Sequence, residues 1–367
     1  MIDKNKPIRV AHIMGKLWAG GVEMVVFNYY RAIDKKKIQF DFYYDADSTV
    51  LPPKELIDMG ARFYEIPPYQ NLPLYLKTLK KYFEDHNYQI VHSHINTLSV
   101  FPLFVAWQCH IPVRIAHNHS VPSGKEIKRD ALKYFLRCFA KIFPTDYFAC
   151  SEKAGKWMWG NKTFEQGGVV VLKNATDFKR FSSSEERILE LREKLNLEEK
   201  IVIGHVGRFT SAKNHEFLLK IFKEISKKNK AIRLLLVGDG ELHDVIHQWV
   251  KDNDLEDKVV YVGQVCNPEE YYSLMDVVVV PSIFEGLSLT TIESQISGVP
   301  VVASTAVPEE AVISDGCIRL TLNSDKWEES ILNMIGKPVH LDSRSNDYNI
   351  NIAVKKLEDW YEKNIIV

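Results

Sequence analysis

Cysteine is scarce in this sequence, and it never occurs in a pair that would suggest a metal or redox site. The chain of 367 residues holds 5 cysteines and no CxxC motif. A scattered, odd-numbered set argues against a disulfide framework and against a zinc ribbon. We therefore expect reduced, mostly buried thiols of the kind found in cytoplasmic proteins. The cysteines are Cys109, Cys138, Cys150, Cys266 and Cys317.

Long apolar runs and two common nucleotide-binding motifs are also missing. No apolar stretch reaches the roughly eighteen residues that a membrane-spanning helix needs. Residues 1–7 lack the apolar core of a signal peptide. Neither GxGxxG nor a P-loop motif occurs, which excludes the usual dinucleotide fingerprint and the Walker A class. These absences favour a cytoplasmic protein, either free or bound peripherally to the inner face of a membrane.

Charge of one sign is not in excess overall, but it is unevenly distributed. Residues 1–173 contain 24 Lys and Arg against 16 Asp and Glu, a net charge of +8, and the remainder contains 23 against 32, a net charge of -9. The first half is a candidate for contact with an anionic membrane or another acidic partner, although unequal surface charge can simply confer solubility. A nucleic-acid binder is disfavoured, because the total is near neutral and no recognised module is present.

Short Val/Ile-rich runs alternate with helical patterns from one end of the chain to the other. One series runs from Ile8–Met14 to Val169–Leu172, and a second runs from Ile201–Val206 to Val299–Ala303. This alternation predicts parallel sheets covered by helices on both faces, and two series predict two doubly wound α/β domains.

The length of the chain also favours two domains over one. The alternation breaks at Asn174–Glu185, so the predicted domains are residues 1–173 and 174–344. The amphipathic segment within residues 345–367 is expected to form a helix that joins the first domain.

Ligands in doubly wound sheets bind beyond the carboxyl ends of the strands, so the strand ends are the places to search. The first strand is followed by Gly20 and Gly21 at the start of a helix. Backbone amides at such a helix start favour an anion. A plain tight turn is the alternative, because paired glycines are a weak signal.

A cationic pair follows the first strand of the second series. Arg208 offers a planar guanidinium and Lys213 an ammonium five residues later. Two fixed cations can neutralise a diphosphate leaving group in place of a divalent metal ion. A solvated surface pair is the alternative.

Two carboxylates follow the strand Val277–Val280. Glu285 lies in the loop, and Glu293 lies eight residues later. Both can reach one ligand if a helix begins near Ser288, and Glu293 suits a bidentate contact with a ribose diol. The amides of Ser288, Leu289 and Thr290 would then open the helix and bind phosphate. One ordinary helix carboxylate and one surface carboxylate remain the alternative.

Two His-x-His pairs occur at strand ends in the first half, His92 with His94 and His117 with His119. Strand alternation places both members of each pair on one face. Four clustered histidines could bind zinc, but no carboxylate ligand stands at a defined spacing. We therefore predict no metal and favour contacts with sugar hydroxyls or a cationic transition state. A hydrogen-bonded core histidine is the alternative for His92.

A basic stripe recurs every four residues within the predicted helix Lys125–Phe143. Apolar and aromatic residues lie beside it. A basic amphipathic helix is a candidate for lying on an anionic membrane. The alternative is a helix whose apolar side is core and whose basic side is solvated. The stripe consists of Lys125, Arg129, Lys133, Arg137 and Lys141.

Taken together, the motifs resemble those of the retaining GT-B enzymes of glycosyltransferase family 4, over nearly the whole chain. The specific feature is the order of a Gly-Arg-x4-Lys motif and a Glu-x7-Glu motif, at Gly207–Lys213 and Glu285–Glu293, followed by Gly298–Ala303. The segment Ile111–His119 is further similar to a bacterial subgroup that builds capsules and exopolysaccharides.

The resemblance implies the GT-B architecture, in which two Rossmann-like domains face each other across a cleft. The first domain would bind the acceptor and the second a nucleotide sugar, with UDP the commonest base. The acceptor would be a saccharide, for which a polyprenyl-diphosphate-linked form is our expectation. No metal or other cofactor would be required.

The resemblance also implies a role for each site residue. Arg208 and Lys213 would bind the donor diphosphate, with help from the Gly21 amide. Glu293 would hold the ribose, and Glu285 would contact the hydroxyls of the transferred sugar. A histidine of the first domain would lie at the reacting centre, where His119 fits best and His117 remains an option.

Two other functions stay open at this point. A nucleotide-sugar epimerase could share the architecture, but it would need further acid and base carboxylates at the sugar. A non-catalytic nucleotide-sugar-binding subunit would not need all four of Arg208, Lys213, Glu285 and Glu293.

Overall fold

A computed structural model describes residues 7–18, 20–122, 127–265 and 267–365, apart from the side chains of residues 127–129. Two compact units make up the chain. Unit 1 contains residues 1–176 and 347–367, and unit 2 contains residues 177–346. Unit 1 is therefore built from both ends of the chain.

Unit 1 contains a parallel sheet of seven strands in the described part of the chain, with the order β3-β2-β1-β4-β5-β6-β7. The order reverses between β1 and β4, which is the switch point of a doubly wound fold. The strands are β1 (Ile8–Gly15), β2 (Ile38–Asp45), β3 (Arg62–Ile66), β4 (Ile90–Ser93), β5 (Val113–Asn118), β6 (Asp146–Ala149) and β7 (Val170–Val171).

Helices connect these strands, and the last helix of the chain also packs in this unit. The connecting helices are α1 (Gly21–Ala32), α2 (Lys54–Asp58), α3 (Leu72–His86), α4 (Val100–Gln108), α5 (Ile127–Arg137), α6 (Glu152–Trp159) and α7 (Asn161–Glu165). The terminal helix α14 (Ile350–Asn364) packs against α1 and buries Leu357 and Tyr361.

Unit 2 repeats the same architecture with six described strands in the order β10-β9-β8-β11-β12-β13. Its switch point lies between β8 and β11. The strands are β8 (Ile201–Val206), β9 (Ile232–Val237), β10 (Val259–Gly263), β11 (Val277–Val280), β12 (Val301–Ser304) and β13 (Cys317–Leu320). The helices are α8 (Glu185–Lys194), α9 (His215–Lys228), α10 (His243–Asp252), α11 (Glu269–Tyr272), α12 (Leu289–Ile296) and α13 (Trp327–Met334).

The composition of the strands explains the two layers of helices. The four valines of β11 are fully buried, as expected for a central parallel strand that is covered on both faces. Helices with one apolar face supply the covering layers. In α9, for example, Leu218, Leu219, Phe222 and Ile225 are buried in the core of unit 2.

The helix predicted over Lys125–Phe143 is shorter than expected. The described helix α5 ends at Arg137, because residues 138–142 form tight turns with bonds such as Phe139 N–H to Leu136 O at 3.0 Å. Pro144 follows directly and has no N–H to continue a helix. Lys125 and the side chain of Arg129 lie outside the described residues, as does Cys266. The two predicted series ended at residue 172 and covered residues 201–303, so they missed α8, β13 and α13, which lie outside them.

No helix in the described ranges is both long enough and apolar enough to cross a bilayer.

Candidate active site

The predicted cations and carboxylates of unit 2 all follow the two strands at its switch point. Arg208 and Lys213 come after β8, and Glu285 and Glu293 come after β11. Because parallel strands end at the same edge of the sheet, this placement brings both motifs to one crevice of unit 2.

Glycines hold the Arg208 loop in place. Gly238, at the end of β9, has a φ of +135° and packs so closely that a Cβ atom would lie 2.1 Å from the carbonyl oxygen of Gly207. The Phe209 N–H donates to Asp239 O at 2.9 Å. The packing of Gly238 and the hydrogen bond of Phe209 therefore hold the backbone on both sides of the exposed Arg208. Less backbone entropy is then lost when the Arg208 guanidinium binds a ligand.

Lys213 and Glu285 form an ion pair beyond the ends of β8 and β11. The Lys213 ammonium donates to Glu285 Oε1 at 2.7 Å, and the Ser282 hydroxyl donates to the same oxygen at 2.7 Å. The side chains are only 20% and 9% exposed. The pair is thus fixed and largely shielded from water, which strengthens its field on any ligand nearby.

The two loops that carry this pair are bonded to each other. Asn214, with a left-handed backbone, donates from its side chain to Pro281 O at 3.1 Å. The Ile283 N–H donates to Ala212 O at 2.8 Å. Ser282 and Asn214 were not identified as site residues from the sequence, because their partners lie on a distant loop.

Glu293 occupies a different environment from Glu285. The Tyr272 hydroxyl donates to Glu293 Oε2 at 3.0 Å. Burial raises the pKa of Glu293 to about 7, although the Tyr272 hydrogen bond and the charges of Arg180 and Lys213 oppose the rise. Glu293 therefore takes up or releases a proton near neutral pH, and a ligand that hydrogen-bonds to the carboxylate would favour the ionised form.

The helix α12 begins next to Ser288, as the spacing between Glu285 and Glu293 predicted. Ser288 is its N-cap residue, in the left-handed conformation with a φ of 66°. The first amides of a helix have no partner within the helix, so those of Leu289 and Thr290 can bind an anion. The Thr290 hydroxyl donates to Val206 O at 2.9 Å and joins this helix to the end of β8. A positive φ is one that glycine adopts more readily than serine, so Ser288 holds a locally strained backbone.

In unit 1, the glycine pair opens α1 as predicted, but one amide is already engaged. The Gly20 N–H donates to the Glu23 carboxylate at 2.8 Å, and the Trp18 N–H donates to the same group at 3.1 Å. Glu23 therefore fixes the loop before α1. Of the two glycine amides, that of Gly21 is the better candidate for contact with an anion.

The histidines of unit 1 form a larger cluster than the sequence suggested, because His12 of β1 joins the two predicted pairs. His12 Nδ1 lies 2.9 Å from His94 Nε2, and His94 Nδ1 lies 3.0 Å from His119 Nε2. A second chain connects His92 Nε2 to His117 Nδ1 at 3.1 Å. All five rings are at least nine-tenths buried.

Burial lowers the pKa of every ring in this histidine cluster, to about 3 for His12 and His119. Neutral imidazoles are hydrogen-bonding groups and also metal ligands. Nitrogens of His12, His92 and His94, and of His94, His117 and His119, lie within 4.8 Å of one another. The closest nitrogen pairs face each other at hydrogen-bond distance, which favours the hydrogen-bonded arrangement.

The basic stripe has a different character from the one predicted. Lys133 pairs with Asp130 at 3.4 Å, and the Lys141 ammonium donates to Thr163 at 2.7 Å. The Arg137 guanidinium lies 5.5 Å from the ring centre of Trp157. Lys133 is therefore engaged within α5 itself, and other parts of unit 1 engage Arg137 and Lys141.

The side chains that this segment exposes are mainly apolar. We name them the α5 apolar surface: Leu132 (43% exposed), Tyr134 (54%), Phe135 (61%), Phe139 (38%) and Ile142 (60%). Apolar residues in this number on one exposed segment are unusual for a free surface.

Models of two protein families match the chain. The model described as Glycosyltransferase Family 4 matches residues 19–180, and the model described as Glycosyl transferases group 1 matches residues 200–337. The first match spans four of the five clustered histidines, all except His12, and the second spans the cationic and carboxylate motifs of unit 2.

Individual proteins are similar over almost the full length. EpsF of Bacillus subtilis is 29% identical over 332 residues, 88% of this chain and 86% of EpsF. The capsular polysaccharide biosynthesis glycosyltransferase CapH of Staphylococcus aureus is 26% identical, over 96% of this chain and 98% of CapH. An Escherichia coli UDP-Gal:α-D-GlcNAc-diphosphoundecaprenol α-1,3-galactosyltransferase is 22% identical, with 98% of both chains covered.

Among solved structures, HepE of Anabaena in complex with UDP-glucose is similar in fold. The TM-score is 0.76 at 16% sequence identity, and the match covers 97% of this chain and 100% of HepE. At this identity the likeness concerns the fold.

Proposed function

Because the chain belongs to glycosyltransferase family 4 and has the GT-B fold, we propose that it transfers a sugar from a UDP-sugar to a saccharide acceptor in the synthesis of a bacterial surface polysaccharide. One observation carries the proposal: Lys213 and Glu285 form a shielded ion pair at the switch point of unit 2. Arg208 and Glu293 follow the same two strands. This set provides cations for a diphosphate and carboxylates for sugar hydroxyls.

The choice of UDP is supported by similar proteins. The Escherichia coli relative uses UDP-Gal by name, and HepE binds UDP-glucose. The test is a calorimetric screen of UDP-, GDP- and ADP-sugars in the presence of EDTA, followed by assays of donor turnover. Tight binding of one UDP-sugar supports the proposal, and failure of every nucleotide sugar to bind would overturn it. Donor isomerisation without any acceptor would indicate an epimerase instead.

Metal-independent catalysis is part of the proposal. Cleavage of the anomeric C–O bond places negative charge on the diphosphate and positive charge on the sugar ring. Lys213 and the first amides of α12 are held in place, and Arg208 adds an exposed guanidinium; together these groups can stabilise the diphosphate without a metal ion. The same donor affinity and turnover are expected with and without EDTA.

We also propose retention of the anomeric configuration, with departure and attack on the same face of the sugar. Family membership supports this course, and the leaving diphosphate oxygen would assist deprotonation of the acceptor hydroxyl. Glu285 would contact the transferred sugar while it holds Lys213. NMR spectroscopy of the isolated product gives the configuration directly, and an inverted product would contradict the mechanism.

Donor binding is expected to release a proton through Glu293. In the ligand-free protein the pKa of Glu293 is about 7, so the group is mostly protonated at pH 6. A ribose diol donates best to the ionised form, so binding lowers this pKa, and affinity should rise with pH until about pH 7. Titration of a UDP-sugar at pH 6, in two buffers of different ionisation enthalpy, measures the released proton.

The proton release should disappear in Glu293→Gln. It should persist in the control Glu309→Gln, because the Glu309 side chain is 85% exposed and lies outside the site. Equal binding enthalpies for the wild type in both buffers would exclude Glu293 as the titrating contact.

We propose a lipid-linked saccharide as the acceptor, and unit 1 as the unit that binds it. The Escherichia coli relative acts, by its name, on a diphosphoundecaprenol-linked sugar. The α5 apolar surface supports the same view, because aromatic and aliphatic side chains can enter the interfacial region of a bilayer. Together with the net charge of +8 over residues 1–173, it favours peripheral binding to an anionic membrane, which we place at the cytoplasmic face.

Removal of two apolar side chains from the α5 apolar surface should weaken the binding of the protein to vesicles. Phe135→Ser with Ile142→Ser is expected to weaken binding to anionic vesicles at low salt by at least about tenfold, because each large apolar side chain contributes roughly 1.5–3 kcal/mol when fully buried. Co-sedimentation gives the bound fraction. The control is Leu189→Ser, which removes an equally exposed side chain (67%) from unit 2. Failure of the wild type to bind such vesicles would refute the membrane proposal.

A further inference from the structure

The hydroxyl of Tyr361 ends one of the two histidine chains in unit 1. Its oxygen lies 2.7 Å from His92 Nδ1, and His92 Nε2 lies 3.1 Å from His117 Nδ1. Tyr361 belongs to the terminal helix α14 and is fully buried. The far end of this chain, His117 Nε2, is buried and has no hydrogen-bond partner in the described part of the protein.

The ionisation states in this chain are well defined. Burial raises the pKa of the Tyr361 hydroxyl well above its usual value, so the phenol keeps its hydrogen. Burial also lowers the pKa of His92 and of His117 well below the usual range, so each ring is neutral and carries a single N–H. The chain can therefore be ordered in two ways only.

The two orders form the same number of hydrogen bonds, but these bonds differ in strength. If His92 donated to Tyr361, an imidazole N–H would bond to a phenol oxygen, and His117 Nε2 would be a bare, unpaired nitrogen. If Tyr361 donates to His92, then His92 Nε2–H donates to His117, and the unpaired group at the far end is the His117 Nε2–H. The second order is favoured, because the phenol is the more acidic donor and the imidazole nitrogen is the more basic acceptor.

We propose that Tyr361 is a positioning residue of the active site, which fixes His117 in the Nε2–H tautomer and holds its ring against His119. The rings of His117 and His119 stack at 4.0 Å with an angle of 27°. This assignment rests on the proposed function, in which a histidine of unit 1 serves the reacting centre.

The second histidine chain has no such anchor. His12 and His119 end it with unpaired nitrogens, Nε2 and Nδ1 respectively, in the described part of the chain. In either order of this chain, one of these two end nitrogens carries a hydrogen and the other does not. The Nδ1 of His119 can therefore be a donor or an acceptor. Of the two candidate histidines, His119 is the more exposed, at 9% against 2% for His117. His119 is therefore the ring that contacts substrate, and His117 supports it.

The experiment compares wild type with Tyr361→Phe, which removes only the hydroxyl. Long-range 15N–1H correlation spectra of histidine-labelled protein report the tautomer of each ring, and His117→Asn identifies the His117 signals. The wild type should show His117 as Nε2–H, and the variant should show a mixture of both tautomers. We expect kcat to fall by about tenfold with an unchanged KM for the donor, because a misplaced tautomer impairs the supporting role.

Tyr30→Phe is the matched control. The Tyr30 hydroxyl is also buried in unit 1 and donates to Gln39 at 2.7 Å, away from the histidines. This variant should lose comparable thermal stability while its kcat and its His117 tautomer stay unchanged. An Nδ1–H tautomer of His117 in the wild type, or an unchanged tautomer in Tyr361→Phe, would overturn the assignment. The wild-type spectrum alone decides the first point, should the variant not fold.

The failure of the proposed function would look different. In that case the wild-type protein would transfer no sugar from any donor, yet it would show His117 as Nε2–H and lose that tautomer in Tyr361→Phe. This result would support the hydrogen-bond assignment and contradict the enzymatic role.

Discussion

Substitution of Lys213 by alanine is expected to lower kcat/KM for the donor by about 100-fold to 1,000-fold, the range observed when one fixed group that stabilises transition-state charge is removed. Two physical effects contribute. The diphosphate loses a nearby ammonium, and Glu285, whose side chain is only 9% exposed, loses its cation. An unpaired carboxylate beside the leaving group would repel it.

A double variant separates these effects. Lys213→Ala with Glu285→Gln removes the unpaired charge, so its affinity for a UDP-sugar should exceed that of Lys213→Ala alone, although turnover stays low. The control is Lys220→Ala on α9, because Lys220 is 62% exposed and pairs with Glu216 at the surface. Donor affinity by calorimetry and turnover by product release give both quantities. Unchanged kcat/KM in Lys213→Ala would remove Lys213 from the donor site.

The second large effect is expected at His119. His119→Asn should lower kcat by at least about 100-fold, the usual scale for a positioned side chain that acts in proton transfer or hydrogen bonding, whereas His117→Asn should cost less. The backbone of His119 is held by Asn96, whose side-chain oxygen accepts the His119 N–H at 2.7 Å. The position of the His119 ring is therefore well defined. Asparagine offers hydrogen-bonding groups, but it cannot reproduce the position of the imidazole nitrogens.

The pH dependence of this reaction should also be unusual for a histidine. Burial lowers the pKa of His119 to about 3, so its ring is neutral at pH 5 and above, and it gains a proton only well below that. A loss of activity near pH 6.5 would therefore have to come from the titration of another group.

The control for the His119 substitution is His86→Gln, since His86 bonds to Tyr64 outside the cluster at 2.9 Å. Equal losses in His117→Asn and His119→Asn would contradict the ranking.

The strand ends were predictable because one topological rule places ligands there. Arg208, Lys213, Glu285 and Glu293 required only the recognition of two strands and the periodicity of one helix. The start of α12 at Leu289 confirms the helix prediction on which the Glu285 and Glu293 spacing depended. Local sequence carried this information, since each residue lies in the loop or helix that directly follows one of these strands.

Residues whose partners are distant in sequence were missed. His12 lies 82 positions from His94, and Tyr361 lies 269 positions from His92, so no local pattern could join them. Tyr272 escaped notice for the same reason, since its carboxylate partner Glu293 lies on another element.

The basic stripe shows what helical periodicity leaves undecided. Helical periodicity defines two faces of α5, but it does not decide which face packs against the domain. Asp130, Trp157 and Thr163 engage the described cations of the stripe. Phe135 and Ile142, which the sequence placed on the apolar side, are exposed instead. Periodicity alone therefore predicted the two sides of this segment but not which of them is exposed.

The placement of Tyr361 on the last helix has a consequence for the order of events during synthesis. The described strands of unit 1 are complete at Val171, yet α14 is synthesised only after all of unit 2. Domains generally begin to fold as they emerge, from the N-terminus onward. Until α14 arrives, His92 lacks its hydroxyl partner, and the surface of α1 that α14 covers stays open. Unit 1 therefore reaches its final hydrogen-bonding arrangement around His92 only after the whole of unit 2 has been synthesised.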